Sequence, residues 1–264
     1  MGDEEMHTQQ LTQEERERYS RQMLLAGVGE AGQRKLLASK VLIVGAGGLG
    51  SPAAMYLAAS GVGEIGVVDD DDVDISNLQR QIAHRSADVG RKKADSMARA
   101  LAALNPEVRV NVYRERLSED NAEDILCDRS YDFVLDCTDN FPAKFLINDA
   151  CVRLHKPFSY AGITGFSGQI MTVLPRESPC YRCIFEDVPK EGTVPTSREI
   201  GVLGAAVGVM GSLQAVEAVK YILGIGDLLV GRLLIYDALT MRFREVELPK
   251  RNESCAACNE EVMS

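Results

Sequence analysis

Short unbroken aliphatic runs alternate with segments whose apolar positions recur every three or four residues, and this alternation organises the first 160 or so positions. Apolar helical spacing over residues 11–26, opened by Thr12 with Glu15 three positions on, predicts an N-terminal helix with a capping box. A second short helix is predicted over Ala31–Ala38. The run Lys40–Val44 has no polar alternation and reads as a strand buried on both faces. A glycine-rich break at Gly45–Gly50 follows, then a small-residue helix over Ser51–Ser60. Further strands are predicted at Ile65–Val68, Val108–Tyr113, Phe133–Leu135 and Phe158–Ala161, with helices at Lys92–Leu104, Glu119–Cys127 and Ala143–Leu154 between them.

Strand and helix alternating at this spacing predict a Rossmann-like, doubly wound, mostly parallel α/β sheet through about residue 162. Beyond it the pattern changes. Gln169–Leu174 is β-rich, 175–198 is loop-like, Gly201–Leu223 is a long apolar helix, and Leu233–Asp237 with Phe243–Glu247 forms a hairpin pattern. The expected organisation is a single domain: N-terminal helices over 1–40, a nucleotide-binding half over 41–162, and an antiparallel half over 163–264. The long helix carries Gly204, Gly208 and Gly211 on related faces, so close packing is expected there, either within the chain or across a homodimer.

The 29 Lys and Arg against 39 Asp and Glu give a formal charge of −10, which disfavours a nucleic-acid partner. Any polyphosphate must be met by a few local cations. The N-terminus is polar and acidic, unlike a secretory signal. The most apolar stretch, Ile200–Leu213, is about 14 residues, short of the roughly 18 that suggest a membrane span. No membrane partner and a cytoplasmic location are therefore expected. Seven cysteines in such a chain suit a reducing compartment, where paired cysteines serve metals more often than disulfides.

Gly45-Ala-Gly47-Gly48-Leu-Gly50 fits G-x-G-x-x-G between a buried strand and a helix. Such glycines let the backbone approach a phosphate at a helix N-terminus. Asp69 ends the next strand, where an acid accepts ribose hydroxyls. The signal says adenine nucleotide without separating NAD, FAD and ATP, and a tight packing turn with no ligand gives the same letters. A nicotinamide-dependent oxidoreductase is the competing function at this point.

The segment Asp69-Asp-Asp-Asp-Val-Asp-Ile-Ser-Asn-Leu-Gln-Arg80-Gln81 resembles the ATP site of the ThiF/MoeB/HesA family, bacterial relatives of ubiquitin-activating enzymes. Arg18-Tyr19-Ser20-Arg21-Gln22, the glycine loop, Lys93 after Gly90, Asp136-Cys-Thr-Asp-Asn140 and Pro179-Cys-Tyr-Arg-Cys183 match further family motifs in order. The resemblance covers nearly the whole chain and is closest in pattern to the MoeB branch. It implies ATP- and Mg²⁺-dependent adenylation of the terminal glycine of a small ubiquitin-like sulfur carrier (MoaD/ThiS-like, ending in Gly-Gly), with pyrophosphate released. The setting would be molybdenum-cofactor or thiamine biosynthesis or a related sulfur-transfer pathway.

The resemblance also implies roles. Gly48 would lie against the phosphates and Asp69 on the ribose. Ser76, Asn77 and Arg80 would line the nucleotide, Arg80 and Lys93 would neutralise the triphosphate, and Asp139 would hold Mg²⁺ with Asn140 beside it. Arg21 would reach a neighbouring subunit's site in a homodimer. The blander readings are a solvated acidic loop at 69–74, surface roles for Arg80, Lys93 and Arg21, and an Asp139 that caps the helix starting near Phe141. The nucleophile is an already ionised carboxylate, so no general base is needed.

Cys180-x-x-Cys183 and Cys255-x-x-Cys258, separated by 71 residues, form two knuckles that fill a tetrahedral Zn²⁺ shell, as a structural site requires. Two disulfides, or unrelated thiols, are the alternative. Cys127, Cys137 and Cys151 read as small core hydrophobes. Some relatives carry a cysteine after Thr in the crossover loop that links covalently to the carrier. Thr196-Ser197 stands there in this chain, so adenylation without such a link is expected. The chain ends at Ser264, so no appended rhodanese-like domain is expected and another protein would supply sulfur.

Overall fold

The computed structural model describes residues 10–190, 192–193, 197–252 and 254–259. Helices α1 (Gln13–Arg18), α2 (Ser20–Met23) and α3 (Gly29–Ala38) lead into β1 (Lys40–Val44). Alternating units follow: α4 (Gly50–Ser60), β2 (Glu64–Val68), α5 (Lys93–Leu104), β3 (Arg109–Tyr113), α6 (Ala122–Asp128), β4 (Phe133–Asp136), α7 (Phe141–Arg153) and β5 (Phe158–Thr164). Then come β6 (Ser167–Val173), α8 (Tyr181–Phe185), α9 (Ser197–Ile200), α10 (Gly204–Leu223), β7 (Arg232–Asp237) and β8 (Arg242–Glu247).

The strands form one eight-stranded sheet in the order β3-β2-β1-β4-β5-β6-β7-β8. The five from β3 to β5 are parallel, and β6, β7 and β8 continue antiparallel. Period-two alternation divides the core into two layers. Val41 and Ile43 of β1 face Leu57 of α4, Met97 of α5 and Met210 of α10, while Leu42 and Val44 face the layer of Leu126, Phe145 and Tyr181 from α6, α7 and α8. Burial on both sides explains the unbroken aliphatic run in β1. The chain leaves β1 toward β2 on one side and returns to β4 on the other, so a crevice opens beyond the carboxyl ends of β1 and β4.

Two expectations are corrected here. The helix over 11–26 forms as two pieces broken at Tyr19. The Thr12/Glu15 capping box is present, but the chain turns at Tyr19 (φ −98°, ψ 7°). That turn sends the ring, 2% exposed, into the core, where its hydroxyl accepts a 2.8 Å hydrogen bond from Asn105. The stretch 175–198 was expected as loop, yet α8 forms within it. Tyr181 is buried against Phe145, Tyr160 and Phe185, and its backbone N–H donates to Asn148 Oδ1 at 2.8 Å.

The glycines of α10 are settled mostly within the chain. A Cβ on Gly204 would lie 2.3 Å from the Gln79 carbonyl and one on Gly211 2.2 Å from the Leu49 carbonyl, whereas Gly208 meets nothing within 4 Å. Although α10 is long and apolar enough by composition to cross a membrane, it packs against the sheet with Met210, Gln214 and Glu217 buried. Glu217 accepts hydrogen bonds there from Thr172 and the Leu229 backbone at 2.6 and 2.7 Å.

Candidate active site and metal centre

The glycine loop turns from β1 into α4 at the crevice. Gly45 has φ +104°, and a Cβ there would lie 2.8 Å from the Cys137 carbonyl. At Gly50 a Cβ would lie 2.0 Å from the Gly45 carbonyl, so the fold itself requires this glycine. Gly47 is different, because a Cβ there would meet only Gln81 Nε2, at 3.6 Å, an ordinary contact. Its bareness leaves room in the crevice instead. Gly50→Ala should therefore lower the melting temperature or abolish soluble expression. Gly47→Ala should melt within about 3 °C of wild type, an effect below about 1 kcal/mol, while weakening nucleotide binding measured by calorimetry. Equal stability losses in both variants would contradict this division.

Asp69, at the end of β2, ties the loop down. Its Oδ2 accepts from the Ala46 N–H at 2.7 Å and its Oδ1 from the Asp71 N–H at 2.9 Å. Burial pushes the Asp69 carboxyl up, and the Ala46 hydrogen bond opposes that rise. Lys93 opens α5 and is buried, with Nζ 2.8 Å from Asp71 Oδ2. Arg80 donates from Nη1 to the Ser76 carbonyl at 3.1 Å, and its stem lies beside Gly48. After β4, Asn140 caps α7 by accepting from the Ala143 N–H at 3.0 Å. Asp139 is thereby released from the capping role considered for it and faces the crevice.

These elements enclose a cavity of about 1110 Å³ whose lining includes Gly48, Asp69, Arg80, Lys93, Asp139 and Asn140. Ser76 and Asn77 lie outside this lining, contrary to expectation. They close a 3₁₀ turn, in which Ser76 donates to Asp74 from its N–H and Oγ at 2.8 and 2.6 Å and Asn77 Oδ1 accepts from the Asp74 N–H at 3.3 Å. The Ser76 carbonyl accepts from Arg80, whose side chain lines the cavity. Arg21 on α2 is exposed, has no hydrogen-bond or ion-pair partner among the described residues, and is not part of this chain's cavity.

The lining also contains residues that sequence reasoning did not single out: Gln81, Arg116, Lys144, Gln169 and Lys190. Lys144 is buried and reaches Asp136 Oδ2 at 3.2 Å, the Ala161 carbonyl at 2.7 Å and the face of Tyr160 at 4.7 Å. Asp136 in turn accepts from the N–H and hydroxyl of Thr138 at 3.0 and 2.6 Å, which shapes the turn before Asp139. The pair joins a strand end to the second turn of a helix, so no regular sequence spacing announces it. Asp136 opening the D-x-T-D-N motif was the only available signal.

In the core layer that holds Phe145 and Tyr181, Cys180, Cys183, Cys255 and Cys258 bring their sulfurs within 4.8 Å of one another. Three separations are 3.9, 3.7 and 3.3 Å. Zn–S bonds of about 2.3 Å in a tetrahedron place sulfurs about 3.8 Å apart, so this all-thiol donor set fits zinc. A disulfide needs about 2.05 Å, and none of the cysteines is so bonded. Four ligands leave no open position, and the cluster pins the tail to α8.

The ThiF family profile matches residues 19–257. The sulfur carrier protein adenylyltransferase of Thermus thermophilus is 48% identical over 255 residues, covering 95% of this chain and 93% of that protein. The SAMP-activating enzyme E1 of Haloferax volcanii is 46% identical over 244 residues, covering 92% and 89%. The maize adenylyltransferase and sulfurtransferase MOCS3-1 is 46% identical, but the match takes in 92% of this chain and 52% of that protein, about half its length. Among solved structures, E. coli MccB with ATP superposes with a TM-score of 0.79 at 24% identity over 92% of this chain and 74% of that one, a likeness of fold alone. Motifs, sheet order and a profile match over almost the entire described chain agree, and the chain belongs to the ThiF family.

Proposed function

We propose that this protein uses ATP to adenylate the C-terminal glycine carboxylate of a small ubiquitin-like sulfur-carrier protein, releasing pyrophosphate. The observation that carries this reading is the convergence of Arg80, Lys93 and Asp139 on one glycine-lined cavity at the sheet's switch point. The glycine loop between β1 and β2, the cations Arg80 and Lys93 between β2 and β3, and Asp139 between β4 and β5 come from three separate connections and meet at this cavity. The activities for which the Thermus and Haloferax relatives are named support it.

The carboxylate and the α-phosphate are both anions and must approach each other. Arg80 and Lys93 offset that repulsion and stabilise the charge that develops on pyrophosphate. Asp139 would hold Mg²⁺, which when bound would supply further neutralisation of phosphate oxygens. Asp69 accepts from the ribose and keeps the glycine loop in place. The cavity exceeds the roughly 300–1000 Å³ of ordinary small-molecule sites. Gly162, Gly168 and Val202 also line it, and the carrier's extended glycine-rich tail would lie against them. Arg21 would complete the cavity of a neighbouring subunit in a homodimer. Zinc, held by the four cysteines, has a structural role away from this chemistry.

Covalent transfer to the enzyme forms no part of the proposal. Of the Thr196-Ser197 pair, Thr196 lies outside the described residues. Cys137, the thiol that lines the cavity, is buried, and burial pushes it up, away from the thiolate a nucleophile needs. The test is ATP–pyrophosphate exchange with candidate carriers ending in Gly-Gly. Exchange should require carrier and Mg²⁺, and no reductant-sensitive conjugate should appear by mass spectrometry. Tight NAD binding with no exchange would replace this function with that of an oxidoreductase.

A further inference from the structure

His84 follows the turn that carries Arg80 and Gln81, and its N–H donates to the Gln81 carbonyl at 3.0 Å. The imidazole is buried, 6% exposed, and lies outside the cavity lining. Its Nε2 is 2.8 Å from the carbonyl oxygen of Ala46, across the glycine loop. A carbonyl only accepts, so Nε2 carries a proton. Nδ1 is 2.9 Å from Ser96 Oγ on α5, and that hydroxyl is 2.9 Å from Asp88 Oδ2. Asp88 is held by Arg99 Nη2 at 2.8 Å and by the Arg85 N–H at 3.0 Å. The ring is thus fixed at both nitrogens.

Ala46 is gripped from both sides. Its N–H donates to Asp69 Oδ2 at 2.7 Å and its carbonyl accepts from His84. The carbonyl of Ala46 and the N–H of Gly47 share one trans peptide plane and point in opposite directions. With the carbonyl drawn toward the buried imidazole, the Gly47 N–H points away from that imidazole, and Gly47 itself lines the cavity. Among the described residues this N–H has no acceptor. Such an amide can donate a hydrogen bond to an anion.

We propose that His84 is a positioning residue for nucleotide binding: by holding the Ala46 carbonyl it presents the Gly47 amide to a phosphate group. It also couples the turn bearing Arg80 to the glycine loop, so the cationic and amide contributions share one brace. This inference rests on the ATP reading above.

The test compares His84→Phe, which keeps a ring but loses the donor, with His84→Gln, whose amide nitrogen can take the place of Nε2. Affinities for ATP and for adenosine are measured by calorimetry alongside melting temperature. Loss of one charge-assisted hydrogen bond should weaken ATP binding by His84→Phe about ten-fold. Adenosine, which lacks phosphates, should bind unchanged, and His84→Gln should recover most of the ATP affinity. A merely structural role would lower both affinities together, and that result would overturn the proposal, as would wild-type ATP affinity in His84→Phe. If His84→Phe does not fold, Ser96→Ala releases Nδ1 instead; it should weaken ATP and spare adenosine, and unchanged ATP binding there would also overturn the proposal. Failure of the wild-type protein to bind ATP would instead reject the functional reading beneath it.

Discussion

Lys93→Met should lower carrier-dependent pyrophosphate exchange by about 10²–10³-fold, the scale for deleting one preorganised charge partner in an enclosed site. Lys93 Nζ lies in the cavity wall beside two carboxylates, with Asp71 Oδ2 at 2.8 Å and the Asp69 carboxyl within its field. Removing the ammonium leaves those acids facing a polyphosphate, so repulsion is added to the loss of attraction. Stability should change far less. The Asp71 side chain is 59% exposed, so the ion pair is worth at most about 1 kcal/mol. The backbone bond from the Lys93 N–H to the Asp71 carbonyl does not depend on the side chain. A near-normal melting curve with a collapsed exchange rate is the expected pair of results. A loss of exchange below about ten-fold, or about 1.4 kcal/mol, would remove Lys93 from the triphosphate's surroundings.

The other large effect concerns the cysteine cluster. Cys183→Ser should lose bound zinc, measured by elemental analysis, and free the tail that carries Cys255 and Cys258. Cys183 contacts both Cys180 and Cys258, and its sulfur accepts from the Asn252 N–H at 3.5 Å. Structural zinc sites contribute folding energy outright. This cluster adjoins a large aromatic core around Tyr181, so the remaining sheet should stay folded while the cluster opens. A loss of about 3–5 kcal/mol, the scale for removing a covalent clip, corresponds to a fall of roughly 6–20 °C in melting temperature for a domain of this size. Limited proteolysis should cut near residue 250 in the variant before it cuts the wild type. An unchanged zinc content and melting temperature would refute the metal assignment.

The strand and helix alternation of the first half was legible because parallel strands buried on both faces leave continuous aliphatic runs, such as Val41–Val44 and Phe133–Leu135, that little else produces. The zinc knuckles were legible for a related reason, since a two-residue spacing within each pair is a local geometric demand. Where the sequence misled, a distant partner decided. Tyr19 breaks its helix to reach Asn105, and Tyr181 organises a helix in a stretch without helical pattern because Asn148 and an aromatic cluster receive it.

The candidate site divides the same way. Local chemistry fixed the residue types: glycines that a strand–turn–helix corner needs, an acid at the end of β2, cations after it, and an Asp-Asn pair before α7. Their convergence was a property of the sheet order alone, which places the loop after β1 beside the loop after β4. It was tertiary structure that moved Ser76 and Asn77 out of the cavity, gave the cap to Asn140 and so left Asp139 open, and put Lys144 on Asp136. It also brought the imidazole of His84 within 2.8 Å of the Ala46 carbonyl, across the glycine loop. Periodicity records how a segment meets the core as a whole, whereas a hydrogen bond between residues 38 positions apart leaves no periodic trace in either segment.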